Sequence, residues 1–571
     1  MEQYTGAEAF LEICNANGID NIFFNPGGEF ASINAAVLKY YALGKPAPKL
    51  SVCLHESVAL TAAYGHYMVS GKPQVVLVHS ELGTQQVAGA LHNAQWGRIP
   101  VVLMAGVAAA PSRMNWKGEP YYQGLMTRNC VKWDYEIKID EDIHEVLQKA
   151  INTALTEPRG PVYLTYPRDI LMKRTDKREF DSYKGTIESL PHASSEDLVK
   201  IANNLLAAEN PLIVAGYIER HHESVRNLVE LADTLCAPVV PGLTRMNFPT
   251  NHPLCAGMEE MGGGIRGNEP FATADVILAI DYDMPYVPAG IFPKEDATIL
   301  HIDIDPMTQG RPLWGRGADI FVKADSREAI PSLTEIVKNK LTPELTTIIQ
   351  ERYKMLEEKY RKQREGNQLS AKNKASETPI SPDWVGYCLN EILDEDTVLV
   401  NHLISQSSSV AAQVDRTKPG TLCACAGGSI MWALGAALGV KTALPDKTVV
   451  SVMTDGGFVW GCPVASLWSA NAYKTPFMSV VFNNQSYGAI RTIVERLSET
   501  PMTAEMGYIS GIDISPPPDY SLIAESCGGY GKIVTEPEDV LPVLNEALQE
   551  VKTGRLAVVD VRLELGLAGV L

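Results

Sequence analysis

Residues Val449–Gly461 read VVSVMTDGGFVWG, and this stretch decides the fold class. An apolar run ends on Thr454, and Asp455 follows with two glycines, Gly456 and Gly457. A short apolar run bounded by turn residues is typical of a strand buried in a parallel sheet. Ligands of open parallel sheets bind beyond the carboxyl ends of the strands. The stretch therefore predicts a buried strand whose end offers a carboxylate, with two glycines that let a ligand approach the backbone and its N–H groups.

Comparable apolar runs alternate with helix-like segments along the chain, which indicates parallel sheets covered on both faces. Polar, charged segments at 173–195 and 365–381 divide the chain into three such blocks and read as linkers. We therefore predict an α/β fold of three doubly wound parallel-sheet domains. Their predicted bounds are 1–175, 190–340 and 382–571, with a helix and linker at 341–381.

The 571 residues carry a formal net charge of −19, with 45% hydrophobic and 20% charged residues. At about 100–200 residues per domain, this length agrees with three domains. Contacts to nucleic-acid phosphates need clustered Lys and Arg, so the acidic chain is not expected to bind nucleic acid. A phosphate-bearing small molecule is still compatible, because backbone N–H groups can hold phosphate.

The first residues, MEQYTGAEAF, have neither the basic nor the apolar region of a signal peptide. No apolar run reaches the roughly 18 residues of a membrane span. The 10 cysteines include no C-x-x-C pair, so neither a zinc site nor a disulfide framework is expected. We expect a cytoplasmic protein that does not bind membranes.

A second polar strand end follows the first along the chain. The run PFMSVVFNN ends in Asn483 and Asn484. At the shared edge of a parallel sheet these carboxamides would lie near Asp455, and such oxygen ligands suit Mg²⁺ together with a phosphate. For either motif alone the alternative is a turn, since Asp-Gly-Gly and Asn-Asn are common turn formers. Both motifs at consecutive strand ends favour metal–phosphate binding.

The spacing of Asp455-Gly456 and Asn483-Asn484, across residues 457–482, resembles the G-D-G…N-N signature of thiamine diphosphate (ThDP) enzymes. The resemblance covers the whole chain and implies pyrimidine-binding, central and diphosphate-binding domains in that order. It also implies that Mg²⁺ is held by the side chains of Asp455 and Asn484 and by the main-chain oxygen of Ser486.

The sequence departs from this signature at two places, Thr454 in place of the first glycine and a longer stretch through Trp460 and Cys462. Two further segments match the family. CACAGGSIMWALGAALG places Ile430 at the wedge under the bent cofactor, and VNHLISQSS places Ser405 at the diphosphate. The alternatives are a core residue for Ile430 and a helix cap for Ser405. The other cofactor contacts that the resemblance implies are Gly428, Gly456, Gly457, Tyr487 and Gly488.

The segment LHESVALTAAYGHYMVSGKP carries Glu56 at a strand-to-helix junction. An acid there could simply favour the helix N-terminus. In ThDP enzymes, however, the glutamate at this place contacts the aminopyrimidine ring and promotes removal of the thiazolium C2 proton. In that family the glutamate and the metal site meet across a dimer interface. The resemblance therefore implies that Glu56 is catalytic and that the chain forms a homodimer or homotetramer.

Within the family the chain looks most like benzoylformate decarboxylase and acetolactate synthase. His79 falls on the place of an active-site histidine, and a histidine near neutral pKa suits proton transfer. Its alternative is a strand-end histidine bonded to backbone. Gly28 stands where benzoylformate decarboxylase has a pocket serine, so one donor to the substrate carboxylate is missing. The segment DYDMPYVPAGIFP lacks the charged flavin contacts of acetolactate synthase, so we do not expect FAD.

Gly28, His79, Ile490 and Ile493 are the predicted lining of the substrate pocket. An aromatic lining is absent at Ile493, which favours aliphatic 2-oxo acids or a ligation partner. For Tyr122, Gln123 and Trp460 we expect core or interface packing.

The leading hypothesis is a ThDP- and Mg²⁺-dependent 2-oxo acid decarboxylase, a carbon–carbon lyase with carboligase activity as a second outcome. The alternative is an acetolactate synthase-like acyl transferase that forms 2-hydroxy-2-acyl acids or acyloins. A flavin or nicotinamide oxidoreductase would need a well-placed G-x-G-x-x-G turn, which we do not find. A non-catalytic binding protein on the same fold would not need Glu56. The residues leave the physiological 2-oxo acid or aldehyde undetermined.

Overall fold

Three parallel sheets frame the molecule, and each belongs to a different part of the chain. The structure is a computed structural model that describes residues 3–109, 112, 122–177, 190–257, 269–283, 293–307, 317–497 and 508–566. Every strand pair within these three sheets is parallel. The predicted α/β fold of three doubly wound parallel-sheet domains is therefore confirmed. Within these residues, no helix combines the length and the apolar character needed to cross a bilayer.

The first sheet is built from the N-terminal part of the chain, with a short antiparallel pair beside it. The strands are β1 (Gln3–Thr5), β2 (Asn21–Phe24), β3 (Lys49–Val52), β4 (Gln74–Val78), β5 (Val101–Val107), β6 (Trp133–Glu136), β7 (Val162–Pro167) and β8 (Arg174–Asp176). The helices are α1 (Gly6–Ala16), α2 (Ala31–Ala42), α3 (Glu56–Ser70), α4 (Ser80–Gln86), α5 (Ala88–Trp96), α6 (Gly124–Thr127) and α7 (Ile143–Leu155). β1 pairs with β8, and the sheet order is β3-β2-β4-β5-β7-β6. The strand order reverses between β2 and β4, where ligands of such sheets bind.

The second sheet and a long helix occupy the middle of the chain. The strands are β9 (Pro211–Ala215), β10 (Val239–Pro241), β11 (Val276–Ile280), β12 (Thr298–Asp303) and β13 (Ile320–Lys323). The helices are α8 (Ser195–Ala207), α9 (His222–Leu235), α10 (Glu269–Thr273), α11 (Ser326–Lys340) and α12 (Pro343–Asn373). The sheet order is β10-β9-β11-β12-β13.

The third sheet contains the opening stretch. The strands are β14 (Val398–His402), β15 (Leu422–Ala424), β16 (Val449–Thr454), β17 (Met478–Asn483), β18 (Tyr530–Val534) and β19 (Ala557–Arg562). The helices are α13 (Pro382–Ile392), α14 (Ser407–Gln413), α15 (Ala433–Ala443), α16 (Asp455–Trp460), α17 (Pro463–Tyr473), α18 (Gly488–Leu497), α19 (Tyr520–Ser526) and α20 (Val540–Lys552). The sheet order is β15-β14-β16-β17-β19-β18, so the order reverses between β14 and β16. Ser405 and Asp455 follow these two strands at the switch point.

Helix α12 continues to Asn373, well into the segment 365–381 that the sequence predicts as linker. Its last turns are held by the third domain. Gln413 Nε2 donates to the Asn367 carbonyl oxygen at 3.0 Å, and Ala371 is buried. These tertiary contacts stabilise helix where the polar composition alone favours irregular structure.

Helices α3 and α15 join the first domain to the third through glycines. A Cβ at Gly439 would lie 1.8 Å from the Ala62 carbonyl oxygen, and one at Gly435 would lie 1.9 Å from Thr61 Oγ1. On the other helix, a Cβ at Gly65 would lie 2.2 Å from the Ala436 carbonyl oxygen. The two backbones therefore approach so closely that only glycine fits at these positions.

We predict that Gly439→Ala destabilises the protein, although alanine is the better helix former. The added methyl group would collide with backbone, and overpacking of this kind costs about 1–3 kcal/mol. Gly366→Ala in the exposed part of α12 is the control, because its Cβ meets nothing within 4 Å. Urea unfolding should give a lower free energy of unfolding for Gly439→Ala and a value about 0.5–1 kcal/mol higher for Gly366→Ala. Equal values for the two variants would contradict the close helix contact.

Candidate active site

Asp455 begins α16 at the switch point of the third sheet, and it is 1% exposed. Its Oδ1 accepts a hydrogen bond from Gly456 N at 2.8 Å. Its Oδ2 is buried and has no hydrogen-bond partner among the described residues. Burial raises the pKa of this carboxyl to about 7, although nearby backbone N–H groups act in the opposite direction. A buried carboxylate oxygen without a partner is costly, and a cation beside it would offset that cost.

Thr454 takes the place of the glycine that the family signature has before this aspartate. It is the N-cap residue of α16, and its Oγ1 accepts a hydrogen bond from Gly457 N at 3.1 Å. A threonine side chain in this position stabilises a helix start by about 1 kcal/mol. The departure therefore has a local structural reason and leaves Asp455 at the strand end.

The N–H groups of Gly456 and Gly457 are both used internally, by Asp455 Oδ1 and Thr454 Oγ1. The sequence predicts that these groups face a ligand, and the hydrogen bonds differ from that expectation. The close approach is nevertheless present, because a Cβ at Gly456 would lie 3.1 Å from Tyr487 Cε1 and 3.9 Å from Ile430 Cδ1. Gly456 therefore leaves space between the Tyr487 and Ile430 side chains, whereas the N–H groups of both glycines already bond within the turn.

Asn483 and Asn484, at the end of β17, make different hydrogen bonds. Asn483 Nδ2 donates to Asp560 Oδ1 at 2.8 Å, and Asn483 Oδ1 accepts from Gln485 N at 3.1 Å. Asn484 Oδ1 accepts from Ser486 N at 3.3 Å. The backbone groups of Gln485 and Ser486 also interact with the Asp455 carboxylate. The predicted metal ligands are therefore brought to one place at the ends of β16 and β17.

The donors available at this place are oxygens, which are the ligands that Mg²⁺ prefers. Among the residues the structure describes, no cluster of three or more His, Cys, Asp or Glu side chains could hold a metal. A site here would instead combine the Asp455 carboxylate, the Asn484 carboxamide and a main-chain oxygen of Ser486. The unpartnered Asp455 Oδ2 fits such a cation.

The remaining predicted cofactor residues surround the same switch point. Ser405 is buried in the turn before α14, whose N-cap residue is Gln406, so Ser405 does not cap that helix. Gly428 is exposed, with nothing within 4 Å of a Cβ. Gly488 begins α18 directly after Tyr487.

Glu56 is the first residue of α3 and is only 7% exposed. The preceding His55 accepts a hydrogen bond from Ser57 N at its Nδ1, which caps the helix in place of the glutamate. No described residue donates a hydrogen bond to the Glu56 carboxylate, which lies against α4, 3.0 Å from the position of a Cβ on Gly83. A carboxylate in this setting is available to a ligand.

His79 directly follows β4 at the switch point of the first sheet, as the N-cap residue of α4, and its side chain is 37% exposed. Its Nδ1 lies 2.8 Å from Glu29 Oε1, so it contacts a carboxylate rather than the backbone considered in the alternative. Glu29 is fully buried, and its Oε1 also accepts from Ser80 N at 2.9 Å. Ser80 has a positive φ of 40°, which the carboxylate helps to hold.

Sequence reasoning missed Glu29. An acid after Pro-Gly-Gly is typical of a surface turn. The signal that could have identified Glu29 is that it follows β2 and His79 follows β4, since residues at neighbouring strand ends meet at the switch point. Neighbouring Gly28 has open space around it, because a Cβ there meets nothing within 4 Å.

The other predicted pocket residues lie on or near α18. Ile490 and Ile493 are each 49% exposed. Trp460 is 50% exposed, and its Nε1 donates to Tyr487 Oη at 3.2 Å, so it is not a core residue. Gln123 lies in the core, as expected, and accepts a hydrogen bond from Tyr163 Oη at 2.9 Å.

Residues 284–292 of the segment DYDMPYVPAGIFP, on which the expectation of no FAD is based, lie outside the described residues.

Two groups of candidate residues result. Glu29, Glu56 and His79 lie in the first domain, and Asp455, Asn484 and Ile430 lie in the third. Within one chain, no hydrogen bond or ion pair between described residues joins Glu56 or His79 to Asp455 or Ile430.

Comparison with known proteins gives the same division. Residues 4–126 match the thiamine pyrophosphate enzyme N-terminal TPP binding domain, residues 198–333 the central domain, and residues 404–561 the C-terminal TPP binding domain. The chain is 26% identical to the acetolactate synthase isozyme 3 large subunit of Escherichia coli, covering 99% of this chain and 96% of that protein. It is also 26% identical to benzoylformate decarboxylase of Pseudomonas aeruginosa, covering 95% and 96%.

Solved structures share the fold over the whole length. Benzoylformate decarboxylase from Polynucleobacter necessarius superposes with a TM-score of 0.80 at 22% identity, covering 99% of this chain and 100% of that chain. The thiamine diphosphate-dependent 4-hydroxybenzoylformate decarboxylase of Rhodococcus jostii RHA1 gives 0.78 at 23%, covering 98% and 99%. With its three TPP enzyme domains in order and the strand-end residues described above, the chain belongs to the thiamine pyrophosphate enzyme family.

Proposed function

We propose that this protein is a ThDP- and Mg²⁺-dependent enzyme that decarboxylates a 2-oxo acid. The observation that carries the proposal is Asp455 Oδ2, buried and without a hydrogen-bond partner among the described residues, at the switch point of a sheet that matches a TPP binding domain. A bound cation is one explanation for a buried oxygen of this kind, and its place beside Asn484 and Ser486 supports that explanation. Mg²⁺ would be held by Asp455, Asn484 and the Ser486 main-chain oxygen. Contacts to the rest of the cofactor would come from Ser405, Gly428, Ile430, Gly456, Gly457, Tyr487 and Gly488.

When bound, ThDP would supply a carbon nucleophile for the substrate carbonyl and an electron sink for the electron pair that stays behind when CO₂ departs. Glu56 would exchange a proton with the aminopyrimidine ring, since no described residue donates a hydrogen bond to its carboxylate. Ile430 would support the cofactor from beside Gly456, because its Cδ1 lies 3.9 Å from the position of a Cβ there. His79 would hold or deliver a proton at Nε2, because Nδ1 is bonded to Glu29.

We further propose that the site is completed by a second copy of the chain. Glu56 and Asp455 belong to different domains, and no hydrogen bond or ion pair between described residues joins them within one chain, while the mechanism needs both at one cofactor. Large apolar side chains are exposed beside each group of residues, including Leu54 (48%) and Leu82 (57%) near Glu56 and Trp460 (50%) near Asp455. Their burial between copies would drive association as a homodimer or homotetramer.

Ligation to a second carbonyl is the alternative second step, as in an acetolactate synthase-like transferase. The open space at Gly28 favours it, because an acceptor could enter beside His79 without meeting a side chain at that position. Protonation by His79 would instead release an aldehyde.

Measuring CO₂ release and the reaction products tests both the decarboxylation and the step that follows it. The protein with ThDP and Mg²⁺ should release CO₂ from at least one of pyruvate, longer aliphatic 2-oxo acids and benzoylformate. Chromatography of the products separates an aldehyde from an acyloin or a 2-hydroxy-2-acyl acid. Acetolactate from pyruvate alone would replace the decarboxylase proposal by the transferase, and absence of CO₂ release from all of these acids would contradict both.

Glu56→Gln should lower kcat by about 10²-fold or more, because the carboxamide cannot exchange the proton. Glu344→Gln is the matched control, since Glu344 also lies in the first turn of a helix but is fully exposed to solvent on α12. If Glu56 served only the helix N-terminus, both variants would keep full turnover. The ThDP dissociation constant, measured by titration calorimetry, checks that the variant still binds the cofactor.

Glu29→Gln should lower kcat roughly tenfold with little change in the ThDP dissociation constant. Gln can still accept from Ser80 N, so the turn is kept while the charged partner of His79 is lost. Glu12→Gln is the control, because Glu12 accepts a hydrogen bond from Tyr40 Oη at 2.6 Å on α1, away from the strand ends. Combined with His79→Ala, the Glu29 change should have no further effect on kcat. An additive loss would show that Glu29 does not act through His79.

A further inference from the structure

Asn93 lies on α5 of the first domain and is fully buried. Its carboxamide bonds both main-chain groups of one residue in the third domain. Asn93 Nδ2 donates to the Ser429 carbonyl oxygen at 2.8 Å, and Asn93 Oδ1 accepts from Ser429 N at 3.1 Å. The Asn93 side chain therefore satisfies both main-chain hydrogen-bonding groups of Ser429, a residue that belongs to no β-strand.

The contact between α5 and this segment leaves no free space. A Cβ at Gly427 would lie 2.2 Å from Asn93 Oδ1, and a Cβ at Gly89 would lie 3.0 Å from Ser429 Oγ. The position of residues 427–431 is therefore set by the helix and cannot drift toward it. Ser429 itself stands between Gly428 and Ile430, both of which belong to the proposed cofactor site.

We propose that Asn93 is a positioning residue that fixes Ile430 under the cofactor. The inference rests on the proposed function, because it assigns Asn93 a role only through the wedge that Ile430 would form. Ile430 Cδ1 lies 3.9 Å from the position of a Cβ on Gly456, so a displacement of the segment would change the space between the wedge and the metal loop. Asn93 is outside the residues assigned to the site by the family resemblance.

The chemistry of the carboxamide explains why asparagine stands here. The segment needs one donor and one acceptor held in a plane at a fixed distance from the helix, which asparagine provides. Aspartate lacks the donor, leucine lacks both groups, and glutamine is longer by one methylene in a site without spare room. Loss of both bonds would leave the partly buried N–H and C=O of Ser429 unpaired, or shift the segment to solvent.

Amide hydrogen exchange tests the clamp in the protein without cofactor. In Asn93→Leu, a peptide covering residues 427–431 should exchange at least about tenfold faster, because the Ser429 N–H loses its acceptor. Asn93→Asp keeps that acceptor and should show a smaller increase. Asn204→Leu is the control, since Asn204 bonds only the Lys200 carbonyl oxygen of its own helix. Unchanged exchange in Asn93→Leu would overturn the proposal.

ThDP affinity tests the role of the clamp. In the presence of Mg²⁺, Asn93→Leu should weaken ThDP binding about tenfold by titration calorimetry, as expected for two lost hydrogen bonds. In an Ile430→Ala background the same change should cost little more, because the wedge it positions is already gone. A purely structural residue would give equal losses in both backgrounds, which would overturn the positioning role.

The two measurements also separate this inference from the proposed function. Faster exchange with unchanged ThDP affinity would overturn the role of Asn93 alone and leave the enzyme assignment in place. A wild-type protein that binds no ThDP would overturn the proposed function together with the wedge role of Ile430. The near-ultraviolet circular dichroism of bound ThDP should differ between Asn93→Leu and wild type, and identical spectra would contradict a shifted wedge.

Discussion

The rest of the structure depends on the contact between α3 and α15. The two helices come from the first and third domains, and Gly65 and Gly439 bring backbone against backbone, while Gly435 lies against Thr61 Oγ1. Such a contact has little freedom to slide, because a shift at Gly65 or Gly439 meets a carbonyl oxygen. The helix contact matters because candidate site residues lie at the ends of both helices. Glu56 is the first residue of α3, and the segment with Ile430 leads directly into α15. The rigid pair therefore sets the positions of Glu56 in the first domain and Ile430 in the third.

Three buried carboxylates are only partly satisfied by hydrogen bonds from the described residues. Glu29 bonds His79 and Ser80 through one oxygen, and thereby fixes a turn with positive φ. Asp455 uses Oδ1 for Gly456, while Oδ2 has no hydrogen-bond partner within the part of the chain that the structure describes. Glu56 receives no hydrogen bond from the described residues. Burying a charge without a partner is costly, so it is kept where binding repays the desolvation. Glu29 Oε2 also has no hydrogen-bond partner among the described residues, so all three carboxylates keep an oxygen that a ligand could satisfy.

Strand ends could be predicted from the sequence, because apolar runs that stop on Asp455 or on Asn483-Asn484 carry their own signal. The three sheets and the place of the metal loop followed from these runs. Features made by distant parts of the chain could not be predicted. Glu29 matters because β2 and β4 are neighbours, and Asn93 matters because α5 lies against residues 427–431. Helix α12 runs to Asn373 because the third domain holds its last turns. In each case the deciding partner is far away in sequence, where local pattern gives no information.

The stretch from Val449 to Gly461 illustrates how a departure from a family signature can preserve its purpose. Glycine at position 454 would leave the Gly457 N–H to find another acceptor, whereas Thr454 Oγ1 supplies one from within the turn. With Gly456 N bonded to Asp455 Oδ1, the turn is closed before any ligand arrives. A turn that is already ordered loses less conformational entropy on binding than one that the diphosphate must organise. Trp460 also orders the loop before binding, because its hydrogen bond to Tyr487 Oη restrains the tyrosine ring beside Gly456. The unusual residues of this loop therefore contribute rigidity around a binding space, while the carboxylate that would meet the metal is left unchanged.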